Sequence, residues 1–190
     1  MTKNILLVGV GGQGAILASK ILTIGLMEAG FDVKMSEIHG MSQRGGSVSS
    51  QVRYGEKVYS PVIELGGADI LVSFEQMEAL RWLEYLKPEG KLILNDYRIN
   101  PMPVIFGKAE YPEGLVDEIK TKIPSSIFDA AGEAVKLGDA RVMNIILLGA
   151  TIKLMGLESI DWDKIVKQNV KSDFVDINIK ALHRGQELVG

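Results

Sequence analysis

The sequence predicts an α/β protein, a three-layer α/β/α fold around a mixed, mostly parallel sheet. The chain begins with a strand, a glycine loop and a helix, in the order of a Rossmann-type unit. Apolar strands and helices then alternate, which is typical of a sheet covered on both faces. An alternating segment in the middle interrupts this order and indicates an antiparallel excursion. We expect one domain over residues 1–190, with helical C-terminal elements from about residue 140 to 190.

The first elements form a strand–helix–strand unit. Residues 5–8 are an unbroken apolar run, as expected of a strand that is buried on both faces. Residues 15–29 carry apolar side chains at helical spacing, and Gly30 is a plausible stop. Residues 31–38 form the second strand. A short right-handed crossover would pair the two strands in parallel.

The middle of the chain combines an antiparallel hairpin with regular α/β structure. Residues 48–54 alternate between apolar and polar side chains, which predicts a half-buried strand, and residues 58–60 are predicted to return as its hairpin partner. Later elements are predicted as a strand at 68–74, a helix at 75–86, a turn at 87–90 and a strand at 91–95. Prolines then mark an irregular connection. The remaining predictions are helices at 115–122, 140–155, 162–170 and 174–188, with a short strand at 126–129.

The composition excludes several kinds of site. The chain has no cysteine, so it has no disulfide, thiolate zinc site, cysteine nucleophile or cysteine-ligated iron–sulfur cluster of its own. The net charge of −3 predicts no binding to nucleic acid. Neither a secretory signal nor a membrane-spanning stretch is recognisable, so we expect a cytoplasmic protein with no membrane association. We assign no catalytic residue and no metal ligand to this chain.

The first candidate site is the glycine loop at residues 9–14, which reads GVGGQG. Glycines permit a tight turn and close approach of a ligand, and the following helix offers free N–H groups to an anion. The predicted ligand-binding residues here are Gly9, Gly11, Gly12, Gln13 and Gly14. Two alternatives remain. The loop binds NAD, with Glu37 on the ribose, or the glycines only allow the strand and helix to pack closely.

The second candidate site is residues 36–46, which read SEIHGMSQRGG. A guanidinium beside two glycines suits bidentate binding of a carboxylate or phosphate. The residues assigned to binding are His39, Gln43, Arg44, Gly45 and Gly46. A surface ion pair for Arg44 and a hydrogen-bonded loop position for His39 are the simpler alternatives. Further along, Glu75 and the pair Asn95-Asp96 follow strands, where they are either ligand contacts or helix caps.

These motifs, with GGAD at 66–69 leading into Phe74-Glu75, resemble the gamma subunits and domains of 2-oxoacid:ferredoxin oxidoreductases. The resemblance covers nearly the whole chain and includes residues 144–150 of the late helix. The form of residues 36–43 before Arg44 is most similar to the small (beta) subunits of the indolepyruvate branch. It lacks the Tyr-Gly-Pro-Glu-like stretch that the pyruvate branch has there.

The resemblance implies a subunit without redox centres. In this family a 2-oxoacid is oxidatively decarboxylated to an acyl-CoA on thiamine pyrophosphate, and iron–sulfur clusters pass electrons to ferredoxin. Both cofactors are expected on a separate large subunit, since this chain has neither cysteines nor a thiamine-binding signature. The chain would pack on that subunit and help form the coenzyme A site, and would be inactive when isolated. Self-association of the isolated chain stays open, as do two alternatives: a standalone NAD-binding oxidoreductase and a purely structural interaction subunit.

Overall fold

The computed structural model describes residues 2–39 and 45–189, and the following elements lie within them. The strands are β1 (Lys3–Val10), β2 (Asp32–His39), β3 (Ser47–Gly55), β4 (Ala68–Ser73), β5 (Leu86–Asn95) and β6 (Ser125–Phe128). The helices are α1 (Ala15–Glu28), α2 (Gln76–Trp82), α3 (Met102–Ile105), α4 (Leu115–Lys122), α5 (Ala130–Leu137), α6 (Met143–Leu154), α7 (Trp162–Asn169) and α8 (Val175–Glu187). Short 3-10 segments cover Leu83–Tyr85, Ala140–Val142 and Ser172–Phe174.

The strands form one six-stranded sheet in the order β2-β3-β1-β4-β5-β6. The pairs β1–β4, β4–β5 and β5–β6 are parallel, and the pairs β1–β3 and β2–β3 are antiparallel. The predicted mixed, mostly parallel sheet is therefore confirmed. The predicted direct pairing of the first two strands is wrong. They run in the same direction, but β3 turns back from β2 and lies between them, with Val52 opposite Ile5.

Alternate side chains of the sheet face two helical layers, which confirms the three-layer fold. On one face, Ile5 and Leu7 pack in a core with α1, α5, α6, α7 and α8. On the other face, Leu6 and Val8 pack with residues of α2 and α4 and with Ile63 of the preceding connection. The period of two along β1 thus buries both sets of side chains.

Two glycines allow the C-terminal helices α6 and α8 to pack with their backbones in contact. At Gly149 of α6, an added Cβ would collide with the carbonyl oxygen of Leu182 in α8. At Gly185 of α8, it would collide with the carbonyl oxygen of Ile146 in α6. The two helix backbones therefore touch, and neither position has room for a side chain.

Three local predictions are wrong, each for a physical reason. Residues 58–60 form no strand, because β3 already has β2 and β1 as neighbours, and Tyr59 is 90% exposed. The predicted turn at 87–90 lies inside β5, where a register shift against β4 accommodates Pro88 and Gly90. Residues 48–54, predicted as half-buried, are buried on both faces. Helix α2 and the connection that precedes β4 cover their polar side; Gln51, for example, accepts a hydrogen bond from the Ile63 N–H at 2.6 Å.

Helix boundaries also differ in two places. The helix predicted over residues 75–86 ends at Trp82 and continues as a 3-10 turn. The helix predicted from residue 140 starts as a 3-10 turn and becomes α-helical at Met143. Helix α5 was not predicted, although Asp129 caps it and Gly138 ends it in a left-handed conformation. No described helix is long and apolar enough to cross a membrane.

Candidate functional site

The glycine loop connects β1 to α1, and its glycines do different things. A Cβ at Gly9 would lie 2.8 Å from the Cβ of Phe74, and one at Gly14 would lie 2.6 Å from Nδ2 of Asn144. These two positions are explained by close packing. Gly12 has a φ of +104°, and no residue in the described part of the chain lies within 4 Å of where its Cβ would be. The packing alternative therefore accounts for Gly9 and Gly14, at the base of the loop, while no described side chain crowds Gly12.

Gln13 ties the loop to the neighbouring strand. Its Oε1 accepts a hydrogen bond from the Val10 N–H at 2.8 Å, and its Nε2 donates to the Phe74 carbonyl oxygen at 2.8 Å. Both ends of the amide are thus engaged within the chain. Ligand contact by Gln13 stays a prediction, and the geometry shows that the side chain holds the loop in shape.

Asn144, at the start of α6, holds the other end of the loop. Its Nδ2 donates to the Gly14 carbonyl oxygen at 3.1 Å. Gly14 has a φ of +83° and precedes the first residue of α1, so this bond fixes the point where the helix begins. In the sequence, Asn144 stands out only as the first residue of the segment 144–150, which is part of the family resemblance. Its distance in sequence from the loop leaves no local pattern that would reveal the contact.

The two glycine motifs meet in the structure. The Gly11 N–H donates to the Gly46 carbonyl oxygen at 2.8 Å, and the Gly45 N–H donates to the Gly11 carbonyl oxygen at 3.3 Å. The backbone of the second motif therefore extends the edge of the first. The predicted contacts Gln43 and Arg44 lie outside the described residues.

A cleft of about 590 Å³ opens beside the glycine loop on the α1 face of the sheet. His39, the last residue of β2, is exposed and lines it opposite Val48, its partner in β3. Other residues along the cleft are Val10, Gly11, Gly12, Gly14, Ala15, Ile16, Leu17 and Lys20. The described walls are thus largely apolar, and Lys20 and His39 are the basic side chains among them. The N-terminal N–H groups of α1 lie beside the glycine loop, so an anionic ligand with an apolar arm matches this chemistry.

Glu37 occupies a position that disfavours the NAD alternative. In a dinucleotide-binding fold, the acidic residue that binds the ribose comes at the end of the second strand, which lies directly beside the first. Here β3 takes that place, so β2 lies two strand spacings from β1, about 10 Å. The Glu37 carboxylate instead accepts a hydrogen bond from the Ser19 hydroxyl at 3.3 Å.

Glu75 is the N-cap of α2 and only 1% exposed. Its Oε2 accepts from the Glu78 N–H at 3.0 Å, and its Oε1 accepts from the Ile99 N–H at 3.1 Å and from the Tyr111 hydroxyl. Burial and the Glu75 carboxylate raise the pKa of Tyr111 above its usual range, so the hydroxyl stays a donor. The cap alternative therefore describes Glu75.

Asp96, by contrast, is exposed, and its carboxylate accepts a hydrogen bond from the Gln76 side chain at 2.6 Å.

Glu78 lies next to this cap and is 5% exposed. Its Oε2 accepts from the Ser47 hydroxyl at 2.5 Å, and its Oε1 lies 3.3 Å from Nε of Arg81. Burial raises the pKa of Glu78, while Ser47 and Arg81 partly oppose that effect. The sequence offered no signal for this pair, because a serine in a strand and a glutamate in a helix are ordinary residues.

The described residues contain no candidate metal-binding cluster. Within residues 2–39 and 45–189, no three His, Cys, Asp or Glu residues are grouped so that they could hold an ion.

Comparison with known proteins gives one consistent result. The sequence pattern of the family described as pyruvate ferredoxin/flavodoxin oxidoreductase matches residues 4–188. Indolepyruvate oxidoreductase subunit IorB of Pyrococcus horikoshii is 37% identical over 96% of this chain and 93% of that one. The protein of the same name from Archaeoglobus fulgidus is 39% identical over 97% and 94%. The crystal structure of a keto/oxoacid ferredoxin oxidoreductase gamma subunit from Geobacter sulfurreducens is 26% identical, with a TM-score of 0.73 and 98% of both chains covered.

Proposed function

The chain belongs to the pyruvate ferredoxin/flavodoxin oxidoreductase family, and we propose that it serves the indolepyruvate branch as the small, gamma-type subunit. The complex would convert indolepyruvate or another aryl 2-oxoacid to the acyl-CoA and pass the electrons to ferredoxin. The small subunit would pack on the large subunit and supply part of the coenzyme A site. Relatives named for indolepyruvate support the substrate class.

The observation that carries the coenzyme A proposal is the meeting of the two glycine motifs beside the cleft. Backbone hydrogen bonds join Gly11 to Gly45 and Gly46, so groups carried by both motifs can reach one ligand. Coenzyme A combines phosphates with a long, weakly polar arm. At the cleft, the N-terminus of α1 and Lys20 suit the phosphates, and the side chains of Ile16, Leu17 and Val48 suit the arm. From the sequence, we assign the Arg44 guanidinium to the phosphates as well.

Thiamine pyrophosphate and iron–sulfur clusters do not fit this chain. Cluster irons are held by thiolates, and the sequence has no cysteine. It also has no Gly-Asp-Gly segment followed by Asn-Asn, the thiamine pyrophosphate signature. We therefore assign both cofactors, and the decarboxylation that they support, to the large subunit. The role left to this chain is to bind and orient the acyl acceptor and to exclude water from its side of the shared site.

Packing on the large subunit is supported by exposed apolar side chains. Ile16 and Leu17 are exposed at the cleft, Ile38 is exposed on β2 on the other face of the sheet, and a second group follows the carboxyl end of β5. That group consists of Tyr97, Met102, Ile105 and Phe106, which are 42–66% exposed. Apolar surface of this kind marks interaction sites in soluble proteins. A purely structural role would use the same surfaces, so it is the second candidate, without coenzyme A at the glycine loop.

The test is the kinetics of the complex reconstituted from both subunits. We expect Arg44→Ala to raise the KM for coenzyme A about tenfold or more, the value of one lost charge-assisted hydrogen bond. The KM for the 2-oxoacid should not change. Arg141→Ala is the matched control, since Arg141 is exposed and paired with Asp139. An unchanged KM for coenzyme A would favour the structural role.

The NAD alternative has its own test. Titration of the isolated chain with NADH, followed by fluorescence, should show no stoichiometric binding. Tight binding would overturn the proposal.

A further inference from the structure

We infer that Glu78 is a positioning residue for the cleft, acting through Ser47 from the opposite face of the sheet. The inference concerns the shape of the glycine loop, and its consequence for coenzyme A rests on the proposed function. Nothing in the sequence motifs or in the resemblance assigns a role to either residue.

The alternation of β3 places the two residues of interest on opposite faces. Val48 lines the cleft on the α1 face, and successive side chains of a strand point to opposite faces. Ser47 therefore points to the α2 face, where its hydroxyl meets the Glu78 carboxylate at 2.5 Å. Whatever holds Ser47 also sets the position of Val48.

Ser47 is also the point where the ladder between β1 and β3 ends. It is paired with Val10, the last residue of β1 and itself part of the cleft wall. Its neighbour Gly46 accepts the hydrogen bond from the Gly11 N–H. A short path of contacts thus runs from Glu78 through Ser47 and Gly46 to Gly11, in the glycine loop.

The other anchors of the loop hold different parts of it. Gln13 fixes the turn to Val10 and Phe74, and Asn144 fixes Gly14. Gly11 is joined to the second motif only by its two backbone bonds among the described contacts. Glu78 therefore controls the position of Gly11, on the side of the glycine loop that faces the second motif.

The chemistry of Glu78 fits positioning better than stabilisation. A buried carboxylate loses hydration, and the nearby Glu75 carboxylate repels it. Such a group is costly to the fold, and what it offers in return is a short, directional hydrogen bond to the Ser47 hydroxyl. The groups that face Glu78 are Ser47 of β3, Glu75 at the helix cap, and Arg81 and Trp82 of α2.

The first experiment measures amide hydrogen exchange of the isolated chain by NMR. We expect Glu78→Ala to speed exchange of the Gly11 N–H about tenfold, because its acceptor Gly46 is no longer held in place. Glu78→Gln should restore most of the protection, since an amide can still pair with the Ser47 hydroxyl. Glu118→Ala, which removes an exposed ion pair with Lys122, is the matched control and should leave Gly11 unchanged.

Ser47→Ala removes the same hydrogen bond from the other partner. It should reproduce the exchange change, and the double variant should exchange no faster than either single one. This variant carries the test if Glu78→Ala does not fold. Unchanged Gly11 exchange in a folded Ser47→Ala chain overturns the inference.

The second experiment uses the reconstituted complex. Ser47→Ala and Glu78→Ala should raise the KM for coenzyme A several-fold, about three- to tenfold, with kcat and the KM for the 2-oxoacid near their starting values. Faster Gly11 exchange together with an unchanged KM for coenzyme A would support the positioning role and overturn its consequence for coenzyme A, whereas an unchanged KM in Arg44→Ala overturns the coenzyme A proposal itself. The two failures are therefore distinguishable.

Discussion

Gln13 and Asn95 donate hydrogen bonds to the same acceptor, the carbonyl oxygen of Phe74, at 2.8 and 3.0 Å. Gln13 belongs to the loop after β1, Phe74 follows β4, and Asn95 ends β5. The Oδ1 of Asn95 also accepts from the Ala130 N–H at 2.9 Å, just after β6. Two amide side chains thus connect the carboxyl ends of β1, β4, β5 and β6, so the base of the cleft is tied to the parallel part of the sheet.

Gln13→Ala should lower the free energy of unfolding by about 1–3 kcal/mol, because the Val10 N–H loses its side-chain acceptor and the Phe74 carbonyl keeps only Asn95. Urea denaturation of the isolated chain measures the change. Gln76→Ala is the control, since its hydrogen bond to Asp96 is exposed. If the two variants have the same stability, Gln13 does not hold the loop.

Gly149→Ala and Gly185→Ala should each cost about 1–3 kcal/mol or more, because a methyl group forces the touching backbones of α6 and α8 apart. Thermal and urea unfolding report the loss. Lys180→Ala, on an exposed position of α8, should stay within about 0.5 kcal/mol of the starting protein. A tolerated alanine at both glycines would contradict the close crossing.

Stability should fall at alkaline pH because of Tyr54. Burial, with a smaller contribution from the Asp69 carboxylate, raises the pKa of Tyr54 to about 12. Below pH 10 the hydroxyl is protonated in both states. Between about pH 10 and 12 only the unfolded chain ionises, which favours unfolding by up to about 1.4 kcal/mol per pH unit.

The free energy of unfolding is measured with urea between pH 9 and about pH 11, a range that includes the onset of Tyr54 ionisation in the unfolded chain. Tyr54→Phe keeps the edge-to-face packing against Phe31 and lacks the ionisable group. Its stability should decline less steeply with pH than that of the starting protein. Parallel curves for the two proteins would show that Tyr54 does not titrate as described.

Ser49→Ala should be neutral or stabilising by up to about 1 kcal/mol. The Ser49 hydroxyl is buried and meets no hydrogen-bond partner in the part of the chain that the structure describes. An unpaired buried group costs free energy that its removal recovers. Ser73→Ala is the matched comparison and should cost about 1 kcal/mol, because that hydroxyl donates to the Glu75 carbonyl oxygen at 2.6 Å. Equal losses in urea unfolding would contradict the difference.

Local patterns predicted most of the elements. Hydrophobic spacing placed α1, α4, α7 and α8 within a residue or two of their observed ends, and it placed β1 and β4 equally well. Such patterns record which face of an element is buried. They do not record which strand lies beside which, and the insertion of β3 between β1 and β2 was therefore missed. Nor do they show that β5 continues through Pro88 and Gly90, because the partner strand β4 decides that register.

The site was predictable only in part, because local patterns do not show which distant residues the fold brings together. The two glycine motifs are visible in the sequence, and the structure brings Gly11 against Gly45 and Gly46. The residues that hold them are Gln13, Asn144 and Glu78, two of which lie far away along the chain. Asparagine and glutamate carry no local signature of such a task. Only the fold shows that they converge there.

The central position of β3 also dictates an order of events on the ribosome. The first strand can pair only with β3 and β4, and the second strand only with β3. When residues 1–39 have left the exit tunnel, two strands and a helix are present but neither strand has a neighbour. The native pairing of either strand must therefore wait until β3, which ends at residue 55, has emerged.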